Sequence, residues 1–104
     1  MTKKEQKTVS PALDEMRAKI DAVDAQIQAL ISERARYAKQ VGLVKNGASE
    51  GAATKTVNYY RPEREAQVLR GVLKRNEGPL KDEEIVRLFR EIMSACLAQE
   101  EPLK

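Results

Sequence analysis

Apolar side chains recur between positions 11 and 45 at Leu13, Met16, Ile20, Val23, Ile27, Leu30, Tyr37, Val41 and Val44. Steps of three and four alternate through the series, which is the rhythm of a helix with one apolar seam. The beat between Leu30 and Tyr37 falls on Arg34. An uninterrupted seam wants an aliphatic residue there, because a guanidinium taken out of water without a partner is costly. Either a protein carboxylate meets Arg34 or the position receives an anion, and the pattern leaves both readings open.

Ser10-Pro11 marks the start of this helix, with Ser as N-cap and Pro at the first helical position. Neither Gly nor Pro interrupts it before Gly42, so the pattern predicts a helix over 11–45. At 1.5 Å per residue that is roughly 50 Å. A globule of 104 residues is only about 26 Å across twice its radius of gyration. The helix therefore overshoots its own domain and needs a partner of similar length. Asp14, Glu15, Asp21 and Asp24 lie in its first half, while Arg34, Arg36, Lys39 and Lys45 lie in its second. Two copies packed antiparallel would set acidic half against basic half. The expectation is an antiparallel, intertwined homodimer.

Residues 1–9 are polar and lysine-rich and read as a flexible tail. Residues 46–58 carry no period and read as a loop with the length of a mobile segment or lid. A second helix is expected over 62–76, opening on Pro62 and stopped by Gly78-Pro79. A third is expected over 82–100, with Asp82 as its N-cap and Ile85, Leu88, Phe89, Ile92, Met93, Cys96 and Leu97 at helical spacing. No strand alternation occurs. The fold class is all-α, with three helices per chain and one domain over 10–104.

Composition narrows the chemistry. The chain has one Phe, three Tyr, no Trp and no His, which argues against base-stacking nucleic-acid modules and removes His-based catalysis. One Cys excludes an internal disulfide and a Cys-cluster metal site, and suits a reducing, cytoplasmic setting. Lys and Arg break every apolar run, so neither a membrane span nor a signal peptide is expected. A net charge of +3 suits a small anionic ligand better than nucleic acid.

Arg34 and Lys45 are eleven residues apart, three helical turns to within about 20° and separated by ~16 Å. Two cations on one face, with Ala38 and Val41 between them, can hold the ends of a compact dianion. Arg17 lies about 25 Å further back and points roughly 100° away. It cannot share its own chain's pocket, but it can reach the other subunit's. Each residue also has a plainer reading. Arg34 could fix register through an interchain ion pair, Lys45 could be a solvated helix end, and Arg17 a solvated flank. Arg64-Glu65 could be first-turn surface charge, Cys96 a small buried residue, and Glu100 a frayed terminus. Their joint fit to one anionic pocket favours the functional reading.

The runs MRAKIDAVDAQIQALISER (16–34), VGLVK (41–45) and YRPEREAQVL (60–69) resemble the all-helical chorismate mutase family. Within it they are similar to the N-terminal domain of bifunctional chorismate mutase–prephenate dehydratases. The resemblance covers about residues 12 to 100. It implies an intertwined dimer of three-helix chains that converts chorismate to prephenate, toward phenylalanine and tyrosine, without cofactor or metal. It also raises a prephenate dehydratase domain fused after Lys104, beside the alternative of a stand-alone mutase. By position, it implies that Arg34 grips one substrate carboxylate and that Arg17, from the other subunit, grips the second. Lys45 would reach the ether oxygen, Glu65 would accept from the ring hydroxyl, and Arg64 would orient acidic neighbours.

Three positions depart from the family pattern. Arg61 stands where relatives often have Asp. Cys96 stands where some have Ser, a better donor. Glu100 stands where many have Gln donating to the ether oxygen. A carboxylate at that point repels the developing charge, so Glu100 is expected to act protonated and to favour activity at lower pH. Gln99 ranks second because Glu100 shares the face of Cys96. The competing class is a non-enzymatic helical module for dimerisation or anion binding. It predicts an interchain partner for Arg34 and no pocket.

Overall fold

The structure is a computed structural model that describes residues 10–52 and 61–101, with the side chains of 48–52 outside that set. The expected tail over 1–9 and the loop residues 53–58 lie outside the described residues. Three α-helices make up the described chain: α1 (Pro11–Ala52), α2 (Pro62–Arg75) and α3 (Asp82–Glu100). No strand occurs among the described residues, so the chain is all-α.

α1 begins where Ser10 caps it. The Leu13 amide donates to Ser10 Oγ at 3.0 Å, and the Leu13 and Asp14 amides both reach the Ser10 carbonyl. This satisfies first-turn donors that the helix itself cannot. α1 runs to Ala52, seven residues past the expected end at Lys45, so residues 46–52 are helical where a loop was expected. Asn46-Gly47 reads as a stop signal, but each Gly inside a helix, here Gly47 and Gly51, costs only about 1 kcal/mol relative to Ala. Ala48, Glu50 and Ala52 are helix-compatible and carry the turn through.

The chain divides into two compact units, Met1–Ser32 and Glu33–Lys104. In the first, α1 carries its apolar seam in the open. Leu13, Met16, Ile20, Val23, Ile27 and Leu30 are 41–64% exposed. Apolar side chains repeated along a helix without cover make a face that lacks its packing layer.

The second unit holds the rest of α1 with α2 and α3. Arg61 is extended (φ −125°, ψ 95°), and its carbonyl accepts from the Arg64 and Glu65 amides, with Pro62 supplying the fixed φ of the first turn. α2 ends at Arg75, one residue before the expected Asn76. Asn76 instead organises the turn. Its side-chain amide donates to the Leu80 carbonyl at 3.0 Å and to Asp82 Oδ1 at 2.9 Å, while its Oδ1 accepts from the Gly78 amide. Gly78 has φ +76°, a conformation that suits a residue without Cβ. Asp82 is thus the first helical residue and not the N-cap. Lys81 holds the cap position, its amide donating to Glu84 Oε1 at 3.0 Å. Asp82 is drawn off by Asn76, which leaves Glu84 to tie the start of α3.

α2 packs along α3, and α1 closes on α3 at Gly42 and Lys45. The buried apolar side chains among the described residues are Ala38, Val72 and Cys96, one from each helix.

Candidate active site

A pocket of about 810 Å³ opens between the three helices of the second unit. α1 contributes Arg34, Tyr37, Ala38, Val41 and Lys45. The last four lie three, four, seven and eleven residues after Arg34, so one face of α1 forms one wall. The opening of α2 contributes Arg61, Glu63, Arg64, Glu65, Gln67, Val68 and Arg70, and α3 contributes Arg90, Met93, Ser94, Cys96, Leu97 and Glu100. Six cationic side chains (Arg34, Lys45, Arg61, Arg64, Arg70, Arg90) line it against three acidic ones (Glu63, Glu65, Glu100), an excess of three positive charges. Such a concave, cation-lined space concentrates small anions.

Two ion pairs lie among the lining residues. Lys45 Nζ lies 2.7 Å from Glu100 Oε1, with 22% and 15% of the two side chains exposed. A charge-assisted bond of this length, mostly out of water, is among the stronger polar contacts available. Arg61 grips Glu63 through Nε at 3.0 Å and Nη2 at 2.8 Å. The Arg61 guanidinium, by this hydrogen bond and by its charge, holds the Glu63 carboxyl below its ordinary value. Arg64 Nη1 donates to Gln67 Oε1 at 2.5 Å, one helical turn on.

Seven of the eight residues singled out from the sequence come together here: Arg34, Lys45, Arg61, Arg64, Glu65, Cys96 and Glu100 all line the pocket. Arg17 is exposed on the first unit and is not among the lining residues. Glu100 faces Lys45, while Gln99 is exposed. Sequence reasoning passed over Arg70, Arg90 and Ser94, which also line the pocket. Arg90 and Ser94 lie ten and six residues before Glu100, well round the helix from Cys96, so helical spacing gave no signal for them. Ser94 places a hydroxyl in the same wall as the Cys96 thiol.

Three helices around a pocket with an excess of cationic side chains define the class of protein: an all-α chain with a cation-lined cleft. The chain belongs to the family described as chorismate mutase type II, whose profile matches residues 16–101. It is 54% identical over 92 residues to a bifunctional chorismate mutase/prephenate dehydratase of Stutzerimonas stutzeri, and 53% identical over 93 residues to that of Pseudomonas aeruginosa. Each alignment covers 88% of this chain and 25% of the relative, so the chain spans about a quarter of the length of these relatives. Among solved structures, a chorismate mutase from Thermus thermophilus superposes with a TM-score of 0.78 at 31% identity, over 89% of this chain and 98% of that one. A chorismate mutase from Helicobacter pylori in complex with prephenate shares the fold, with a TM-score of 0.73 at 24% identity over 91% of this chain and 100% of that one. None of the described helices is long and apolar enough to cross a membrane.

Proposed function

We propose that this chain is a chorismate mutase, converting chorismate to prephenate in the cytoplasm on the route to phenylalanine and tyrosine. The observation that carries the reading is the convergence of Arg34, Lys45 and Glu100 on one pocket with a positive excess. The reaction is unimolecular and pericyclic, so it requires no nucleophile and no base. What it needs is a dicarboxylate held in its folded conformer and a donor or positive charge where the breaking ether bond gathers electron density.

Arg34 takes one substrate carboxylate and Lys45 reaches the ether oxygen and a nearby carboxylate. Glu65 accepts from the ring hydroxyl, with Arg64 beside it as support. Arg61, released from Glu63, adds a cation at the mouth. Cys96 and Glu100 form the α3 wall, with the Glu100 carboxylate bonded to Lys45 and so aiming its ammonium at the ether oxygen. The second carboxylate falls to Arg17 of the partner subunit in an antiparallel homodimer. Support for that arrangement is the exposed seam from Leu13 to Leu30, which a second copy of α1 would cover.

The test is to mix the purified protein with chorismate and follow loss of its ultraviolet absorbance, with Arg34→Ala alongside. Wild type should form prephenate. The variant should remain folded and dimeric and lose about 10²- to 10³-fold in rate, the scale for removing one charge-stabilising donor. Folded, dimeric wild type that leaves chorismate untouched would end this reading.

A further inference from the structure

Gly42 is the one buried glycine among the described residues, and it sits where α1 meets the last turn of α3. A Cβ built on it would collide with the Glu100 carbonyl oxygen and lie 2.6 Å from both its carbonyl carbon and its Cα. Those are backbone atoms and cannot swing aside. The other glycines differ. A Cβ at Gly71 would meet only the flexible end of Arg75, and one at Gly47 would meet nothing within 4 Å. Helix α1 therefore touches Glu100 twice. The backbone contact is at Gly42, and one turn later Lys45 Nζ reaches the same residue's carboxylate at 2.7 Å. The first contact fixes the distance over which the second is made.

We propose that Gly42 is a positioning residue, whose missing side chain sets the depth of α3 against α1 and thereby holds Glu100 on Lys45 inside the pocket. The proposal rests on the mutase reading for its catalytic consequence. Any side chain at position 42 must push the Glu100 backbone away, because real Cβ contacts below 3.0 Å essentially do not occur. A displacement of about 1 Å in a preorganised site can cost on the order of 10²-fold in rate. Arg34 lies about two helical turns back along α1 from Gly42, so its grip on the substrate is left in place. The loss should therefore fall on kcat more than on KM.

The experiment compares wild type, Gly42→Ala and Gly47→Ala in the full chain. Chorismate kinetics are read beside helicity, association state and a crystal structure of Gly42→Ala. Gly47→Ala should match wild type. Gly42→Ala should fold, lose roughly 10- to 100-fold in kcat with a much smaller change in KM, and show Lys45 and Glu100 separated beyond hydrogen-bonding distance. A folded Gly42→Ala with wild-type kcat, or with the 2.7 Å pair intact, overturns the proposal. Should Gly42→Ala not fold in buffer, it is refolded in the stabilising osmolyte trimethylamine N-oxide beside wild type, and the same kcat and the same Lys45–Glu100 distance decide. If wild type proves inactive on chorismate, the mutase reading fails, and the crystallographic distance still decides the role of Gly42.

Discussion

Ile20 offers the sharpest test of the exposed seam. It lies mid-seam on α1 and is 58% exposed. Replacing it with Ala removes three carbons, worth about 0.8 kcal/mol each on full burial. Only the part still open to water is available to a partner, so the loss is about 1.4 kcal/mol per chain. A symmetric dimer suffers it twice, about 2.8 kcal/mol, or roughly a 100-fold weaker dissociation constant. Ala is also the better helix former, so the isolated helix is not weakened and the effect belongs to association. Sedimentation equilibrium over a concentration series reads the constant directly. Under the dimeric reading, which gives the second substrate carboxylate to Arg17 of the partner subunit, mutase activity per chain should fall in step with the dimer fraction. Equal dissociation constants for wild type and Ile20→Ala, or a wild type that stays monomeric into the millimolar range, would refute the argument.

Two further outcomes concern acid groups of the pocket. Arg61→Ala should raise the titration midpoint of Glu63 toward its ordinary 4.5, measured by carbon-13 NMR. Because the folded-state value is depressed, the pair's contribution to stability is present above 4.5 and is lost as pH falls through the folded midpoint. A midpoint that stays put in Arg61→Ala would show that the guanidinium is not the cause. For Glu100, whose carboxylate meets Lys45 at 2.7 Å, Glu100→Ala should release the Lys45 ammonium from its place and lower turnover about tenfold or more. Wild-type turnover in that variant would remove Glu100 from the site.

The helical architecture was legible because burial on one face leaves a period, and the seam from Leu13 to Val44 repeats it many times. The cation spacing was legible for the same reason, since Arg34, Val41 and Lys45 return to one side of one helix. The end of α1 was not. Asn46-Gly47 carries the signal of a stop, and a local signal cannot weigh the roughly 1 kcal/mol of each Gly against continuation of a long helix. The cap of α3 was misplaced because Asp82 has a competitor for its carboxylate, Asn76, from across the turn. Arg70 and Arg90 were missed because long side chains reach well beyond the direction of their own Cα. The role of Gly42 was out of reach altogether. It depends on a contact with Glu100, far along the chain, and no local pattern encodes such a meeting.

Cys96 is the chain's single cysteine, only 3% exposed in the wall of the pocket near the end of α3. So little of it is open that a thiol reagent reaches its sulfur through the pocket or when the surrounding helices part, and the labelling rate reports how far that wall is open. Any molecule that settles in the pocket and favours the closed form slows labelling by a factor set by its concentration over its dissociation constant. The protein thus carries its own occupancy gauge, one that reads inhibitors and unreactive analogues as readily as substrate.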